Sequence, residues 1–285
     1  MNRKMKNKIK KLFIKVIILF IISVVIIILD NNKPKRVVSG DLEVYYFDVG
    51  QADSALIINK DKVMMIDCGN NEDGEYLVDE LDKLGIEDID YLIGTHPHED
   101  HIGGMDDIIN NFNIGVIYMP DVIHPTNYYT DVLEAADKNN VSIMTPKIGD
   151  NFDLSDALVN ILYLDDDTTN LNDDSIILKI IYGENSFLFM GDASKNVEEE
   201  IINDDISADV LKVGHHGSSE SSSVNFLNRV EGSYAVISVG ADNKYGHPTK
   251  SVLNNLKKYG YSVYRTDKLG TIKIISDGKN IKVGD

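Results

Sequence analysis

From Leu42 onward, short apolar runs alternate with segments of helical period. Leu42 to Asp48, Ser54 to Ile58 and Val63 to Ile66 read as strands, separated by Gly50-Gln51-Ala52-Asp53 and Asn59-Lys60-Asp61. Glu75 to Leu84 predicts a helix stopped by Gly85. A strand at Tyr91 to Thr95, a helix at Met105 to Phe112, a strand at Ile114 to Met119 and a helix at Tyr128 to Asn139 follow. The second half repeats the alternation, with strands at Val159 to Leu164, Ser175 to Tyr182, Phe187 to Met190, Asp209 to Val213 and Ala235 to Val239. Helices fit Lys195 to Ile202 and Ser251 to Tyr259. The end, Val263 to Arg265, Thr271 to Ile275 and Ile281 to Val283, is again strand-like. Two strand-rich halves with interspersed helices predict a layered α/β (α+β) body with its sheets inside. Asp165-Asp166-Asp167 and Asn172-Asp173-Asp174 read as parts of a polar loop.

The N-terminus follows a different pattern. Residues 1–11 carry six cations, and Leu12 to Leu29 is apolar except for Lys15 and Ser23. That run is at the short end of a membrane-spanning helix, and Lys15 lies near enough to its basic end to snorkel. The basic flank is expected to stay in the cytoplasm. The expected organisation is a basic cytoplasmic tail (1–11), a single-pass transmembrane signal anchor (12–29), a linker (30–40) and a body (41–285) outside the cell membrane. A cleaved signal peptide competes with this reading, with Val38-Ser39-Gly40 as its cleavage site. That site lies far from the apolar run, beyond Lys33, Lys35 and Arg36.

Charge narrows the choice of partners. The formal net of −18 hides a division: residues 1–36 hold ten basic and one acidic residue, and 37–285 hold 18 basic and 45 acidic. A body this acidic repels polyanions at long range and has no basic stripe for nonspecific nucleic-acid binding. Any phosphate-bearing substrate would be held locally, by metal ions. The one cysteine, Cys68, excludes an intrachain disulfide and reads as a small buried residue.

Candidate chemistry concentrates at the ends of predicted strands. His96-Pro97-His98-Glu99-Asp100-His101 puts three of seven histidines in one short window. Imidazole and carboxylate are the side chains that hold Zn²⁺-like cations in enzymes. In an extended segment His96 and His98 share a face, while Asp100 and His101 turn toward a second ion. Asp67 and Asp192 end two further strands, and His215-His216-Gly217-Ser218 and Tyr245-Gly246-His247-Pro248 follow two more. His124 reads as incidental. The serines at 218, 219 and 221–223 read first as a solvated loop, with phosphate binding as the functional alternative.

Together these segments resemble the metallo-β-lactamase-fold hydrolases, and more closely the metallo-β-lactamase-like domain of ComEC-type DNA-uptake competence proteins. The family opening is matched by Phe47-Asp48-Val49-Gly50-Gln51-Ala52-Asp53-Ser54, and the likeness covers about residues 42–285. It implies an αββα metallo-β-lactamase-type sandwich, here preceded by one N-terminal transmembrane helix. It also implies two divalent ions: His96 and His98 on metal 1, Asp100 and His101 on metal 2, and Asp192 bridging. His216 is expected as the last metal-2 ligand with His215 facing substrate, although the pair could be reversed. Asp67 is expected to orient a ligand, and His247 to contact substrate or leaving group. Many superfamily members carry a further histidine between the first window and the bridging aspartate. Here Asn172-Asp173-Asp174-Ser175 stands in that region, as in the ComEC-like branch. The oxygen-richer site this leaves would tolerate Mn²⁺ as well as the expected Zn²⁺.

The expected function is metal-dependent hydrolysis by metal-bound hydroxide, with Asp100, His215 and His247 as the catalytic candidates. A phosphodiester, in extracellular nucleic acid or in the envelope, is the expected substrate. The alternatives are a non-catalytic accessory of a DNA-uptake or envelope complex, and a β-lactam hydrolase.

Overall fold

The computed structural model describes residues 3–31, 34, 36, 38–165 and 169–284. Among these, the first strands are β1 (Leu42–Tyr46), β2 (Ser54–Asn59), β3 (Lys62–Cys68), β4 (Asp88–Ile93), β5 (Asn113–Tyr118) and β6 (Ile143–Met144). Then come β7 (Asn151–Leu154), β8 (Ala157–Tyr163), β9 (Ile177–Tyr182), β10 (Asn185–Phe189) and β11 (Val210–Lys212). The last are β12 (Tyr234–Ile237), β13 (Ser262–Arg265), β14 (Ile272–Ser276) and β15 (Ile281–Val283). The helices are α1 (Arg3–Asn31), α2 (Gly74–Lys83), α3 (Glu99–Ile102), α4 (Met105–Asn111) and α5 (Asn127–Asn139). They continue with α6 (Lys195–Glu200), α7 (Val224–Val230), α8 (Lys250–Lys258) and α9 (Thr266–Leu269).

Two sheets result, in the orders β15-β14-β1-β2-β3-β4-β5-β6 and β13-β12-β11-β10-β9-β8-β7. Side-chain alternation explains how they stack. β1, β8 and β14 alternate buried and half-buried positions, which gives each one core-facing side. β2 is buried throughout, as a strand covered on both faces must be. Val44, Ile57 and Ile66 of the first sheet form one core with Val159, Leu178 and Phe187 of the second. Tyr46 stacks on Phe189 across it, with ring centroids 5.8 Å apart. The outer face of the second sheet packs Leu188 and Leu211 against Val197 of α6, Phe226 of α7 and Leu256 of α8. On the first sheet, α3 and α4 lie against β3, and α4 lies against α5. Helices therefore cover both outer faces of a two-sheet sandwich.

Each sheet contains a parallel ladder, β3-β4-β5-β6 in one and β10-β11-β12-β13 in the other. Ligands of open α/β sheets bind beyond the carboxyl ends of such strands. Asp67, His96, Asp192, His215 and His216 all sit at or just past those ends.

The chain divides into two compact units, Met1–Arg36 with Glu80–Ile86, and Val37–Asp79 with Glu87–Asp285. The first contains α1, whose described side chains from Leu12 to Val24 are exposed on every face. The expected anchor at 12–29 falls within this helix, but its side chains beyond Val24 lie outside the described residues. Among the described residues no helix is long and apolar enough to cross a membrane. Parts of the expected linker and of the Asp165-Asp166-Asp167 loop also lie outside them.

Candidate metal centre

The expected pleat at His96 and His98 does not form. β4 ends at Ile93, and the two histidines lie in a bend that leads into α3. Pro97 lacks an N–H and disfavours continued pairing there. The bend still joins the rings, with His96 Nε2 3.0 Å from His98 Nδ1. Asp100 and His101 then lie on the single turn of α3, which points them at the second sheet.

Asp192 is the meeting point. Its Oδ1 lies 3.4 Å from His101 Nε2, and its Oδ2 lies 3.6 Å from His215 Nε2 and 3.8 Å from His216 Nε2. His216 Nε2 is also 3.4 Å from Asp100 Oδ2. Of three groups among the described residues whose donor atoms all lie within 4.8 Å of one another, two are drawn from the expected ligands: His96, His101 and Asp192, and Asp100, His101 and His216. His98 reaches His96 but belongs to neither group. His247 stands further out, its ring centroid 5.7 Å from that of His215. His124, read as incidental, lies beside His98 at 6.2 Å between centroids. Ring contacts thus link all seven histidines, running 124, 98, 96, 101, 216, 215, 247.

The local backbone is unusual where the second sheet contributes. His215 and His216 both have left-handed φ, at 50° and 52°. Such backbone costs on the order of 1–2 kcal/mol per non-glycine residue, and it concentrates at functional sites. The turn sends His216 inward and leaves the His215 side chain 20% exposed. Gly217 follows at φ +80°, where a Cβ would come within 2.6 Å of the Pro248 Cβ. That contact brings the His247 segment against the histidine pair. Gly191 has φ +51°, and a Cβ there would meet Ser175 Oγ at 2.8 Å.

Carboxylates and hydroxyls brace the histidines from behind. Asp67 Oδ2 lies 2.8 Å from His101 Nδ1, so Asp67 faces the far nitrogen of that ring. Thr95 donates to both oxygens of Asp67. The segment that replaces the absent histidine also reaches the site. Ser175 Oγ accepts from the Asp192 amide at 3.0 Å and lies 3.4 Å from His96 Nδ1. His216 Nδ1 lies 3.1 Å from Ser238 O, placed for donation. The serine run corrects its first reading in part. Ser218, Ser221 and Ser222 are buried, and the amides of Ser222 and Ser223 donate to Glu198. Ser218 and Ser221 to Ser223 thus form a brace before α7, with the 221 and 222 side chains inside, while Ser219 stays exposed as expected of a solvated loop.

The electrostatics favour a cation. Burial opposes charge on His216, yet Asp192 and Asp53 outweigh it and push the imidazole up to about 10. His101 is raised well above its ordinary value against burial by Asp192 and Asp67. Burial and then the charge of His101 hold His96 well below its ordinary value. Among the described residues, His101 Nε2, His216 Nε2 and Asp192 Oδ1 are buried without a hydrogen-bond partner. Buried polar atoms are normally satisfied, and orphans converging on one point need a missing partner. Nitrogens and a carboxylate oxygen in this arrangement fit a divalent metal.

Sequence reasoning gave no role to Thr95, Ser175, Lys212 or Asp53. Three of these carried a signal, Ser175 by ending the segment that stands in for the absent histidine. Asp53 stands in the quoted opening motif, and Lys212 is the lone cation in an otherwise apolar strand. Burial makes Cys68 unreactive by pushing its thiol well up.

A two-sheet sandwich with this cluster at one edge defines a class, and the chain belongs to the metallo-beta-lactamase superfamily, whose model matches residues 47–241. Within it the chain is similar to ComE operon protein 3 of Bacillus subtilis, at 32% identity over 256 residues, 82% of this chain and 33% of that protein. It is also similar to competence protein ComA of Neisseria gonorrhoeae, at 28% identity over 249 residues, 85% of this chain and 33% of that protein. The chain therefore spans about a third of the length of these curated relatives. The metallo-beta-lactamase fold protein YhfI from Bacillus subtilis shares the fold, with a TM-score of 0.56, 12% identity, and coverage of 86% of this chain and all of that one.

Proposed function

We propose that this protein is a membrane-anchored, metal-dependent phosphodiesterase. The observation that carries the reading is the convergence of orphaned buried donors from His101, His216 and Asp192. His96 and His98 would hold one ion, Asp100, His101 and His216 a second, and Asp192 would serve both. Zn²⁺ suits the imidazole-rich set, and Mn²⁺ suits its carboxylates. Two divalent ions supply activation of water near neutral pH and neutralise charge on a phosphoryl transition state. The protein's own residues do the rest. Asp67 and Ser238 O fix the tautomers of His101 and His216. His215 and His247, at the open side, hold the substrate phosphoryl oxygens and the leaving group. No other nucleophile is needed.

The similarity to competence proteins supports nucleic acid as the source of the diester, with an envelope phosphodiester as the alternative. The exposed apolar surface of α1 from Leu12 to Val24 and the basic residues in its first turns support attachment to the cell membrane with the body outside.

Full-length protein in detergent is loaded with Zn²⁺ or Mn²⁺ and assayed on bis-p-nitrophenyl phosphate and on single-stranded DNA. Asp100→Ala and His216→Ala should each abolish turnover. His247→Ala should slow it roughly 100- to 1000-fold with metal content intact. Metal-replete protein that cleaves a β-lactam but neither diester overturns the substrate class. Metal-replete protein inert on all three points to an accessory role.

A further inference from the structure

Asp53 and Lys212 form a buried ion pair that the proposed chemistry does not use. Each is about 4% exposed. Asp53 immediately precedes β2 in the first sheet, and Lys212 ends β11 in the second. Lys212 Nζ lies 2.5 Å from Asp53 Oδ2 and also donates to Val213 O at 3.3 Å. Burying two charges is costly, and apolar side chains of similar volume commonly serve stability as well or better. A stability role alone is therefore a weak account of the pair.

The other contacts of Asp53 all lead to the metal centre. Its Oδ1 is 3.3 Å from His216 Nδ1, the nitrogen turned away from Asp100 and Asp192. Its backbone N–H donates to Asp100 O at 3.0 Å, and its carbonyl accepts from Gly69 N at 2.9 Å. One residue thus ties the turn after Asp67, the backbone of Asp100 and the ring of His216. The His101 side differs. There the backing carboxylate, Asp67, is satisfied by the neutral donors of Thr95 rather than by an ammonium. Asp53, Asp67 and His101 also bring donor atoms within 4.8 Å of one another, a buried cluster that could itself attract a cation. The Lys212 ammonium already stands on that cluster's Asp53 edge.

We propose that Asp53 and Lys212 are a positioning pair for His216. Ser238 O takes the Nδ1 proton at 3.1 Å, and the Asp53 charge, 3.3 Å from the same nitrogen, favours the ring with Nδ1 inward and Nε2 toward Asp100 and Asp192. Lys212 is the fixed cation that keeps Asp53 in this role rather than acting as a ligand itself. The inference rests on the proposed reading of His216 as a metal ligand.

The test follows Co²⁺ uptake by metal-free full-length protein, read by visible absorption and by chelator competition. Asp53→Asn should weaken the second equivalent roughly 10- to 100-fold and shift its absorption, leaving the first within about twofold. Lys212→Met should weaken it likewise, and Lys212→Arg should restore it. Either single change leaves a buried charge unpaired and could impair folding, so Asp53→Asn/Lys212→Met is the decisive variant. It removes both charges, and metal-free protein should retain its melting temperature while the second equivalent stays weak. A double variant that binds both equivalents like wild type overturns the pair's role and leaves the metal reading standing. Wild-type protein that takes up no second equivalent overturns the metal reading and this inference with it.

Discussion

The Asp192 carboxylate meets three imidazoles, and that makes it the residue on which the centre turns. A buried anion persists only with partners. Burial works against its charge, but His101 and then His216 hold its carboxyl well below the usual range. The same contacts hold His101 and His216 above their ordinary values, so in the metal-free protein a proton competes for the rings a metal would use. A raised imidazole pKa favours the protonated form, and a metal must displace that proton. Zn²⁺ uptake at pH 7 should therefore release protons, and affinity should fall from pH 8 to pH 6. Calorimetry in buffers of different ionisation heat measures the release, and none at pH 7 would contradict this electrostatic account. Asp192→Ala should lose most of the bound metal by elemental analysis, because in the proposed arrangement this one side chain would serve both ions. Retention of two equivalents would show that it bridges nothing.

At the scale of elements, the ends of parallel strands did most of the work, and they were legible. Alternation in β1, β8 and β14 and the continuous apolar run of β2 marked the sheets, and each histidine window followed a strand. What was missed was short or paired across the sheets. β6 and α3 span two and four residues, too few to show a period. α7 was hidden because the serines before it looked like solvated loop, whereas Glu198 gathers their amides inside. Asp53 and Lys212 stand 159 positions apart, and no local pattern announces such a pair. α1 poses a different question. Its exposed apolar face from Leu12 to Val24 has no amphipathic stripe of the kind that packs on a protein core. Protease added to intact cells should digest the body beyond residue 40 and leave a small membrane-bound fragment. Protection of the body until lysis would place it on the other side of the membrane.

At the scale of the whole molecule, charge sets a limit on how a nucleic acid can be used. The body beyond residue 36 has a net charge of −27. A cleft of about 790 Å³ beside Asp100 is lined by Asp48, Glu72, Asp73 and Glu99, with Lys244 its one cation among the described residues. Ordinary nucleic-acid-binding proteins neutralise phosphates with basic side chains, release counterions and lose affinity as salt rises. Here the long-range term is repulsive, and salt screens repulsion as well as attraction. The salt dependence should therefore be reversed. Raising ionic strength from about 20 to about 150 mM shortens the Debye length from about 21 to about 8 Å. Over that range kcat/KM on long single-stranded DNA should rise several-fold, while kcat/KM on bis-p-nitrophenyl phosphate, a monoanion, should change far less. Oligonucleotides of four to six phosphates should fall between the two, since the repulsion grows with the number of phosphates held near the body. A steep decline of DNA cleavage over the same range would mean that cationic residues govern encounter after all. Those would have to come from the basic segment 1–36, and deleting residues 1–11 would then abolish the decline.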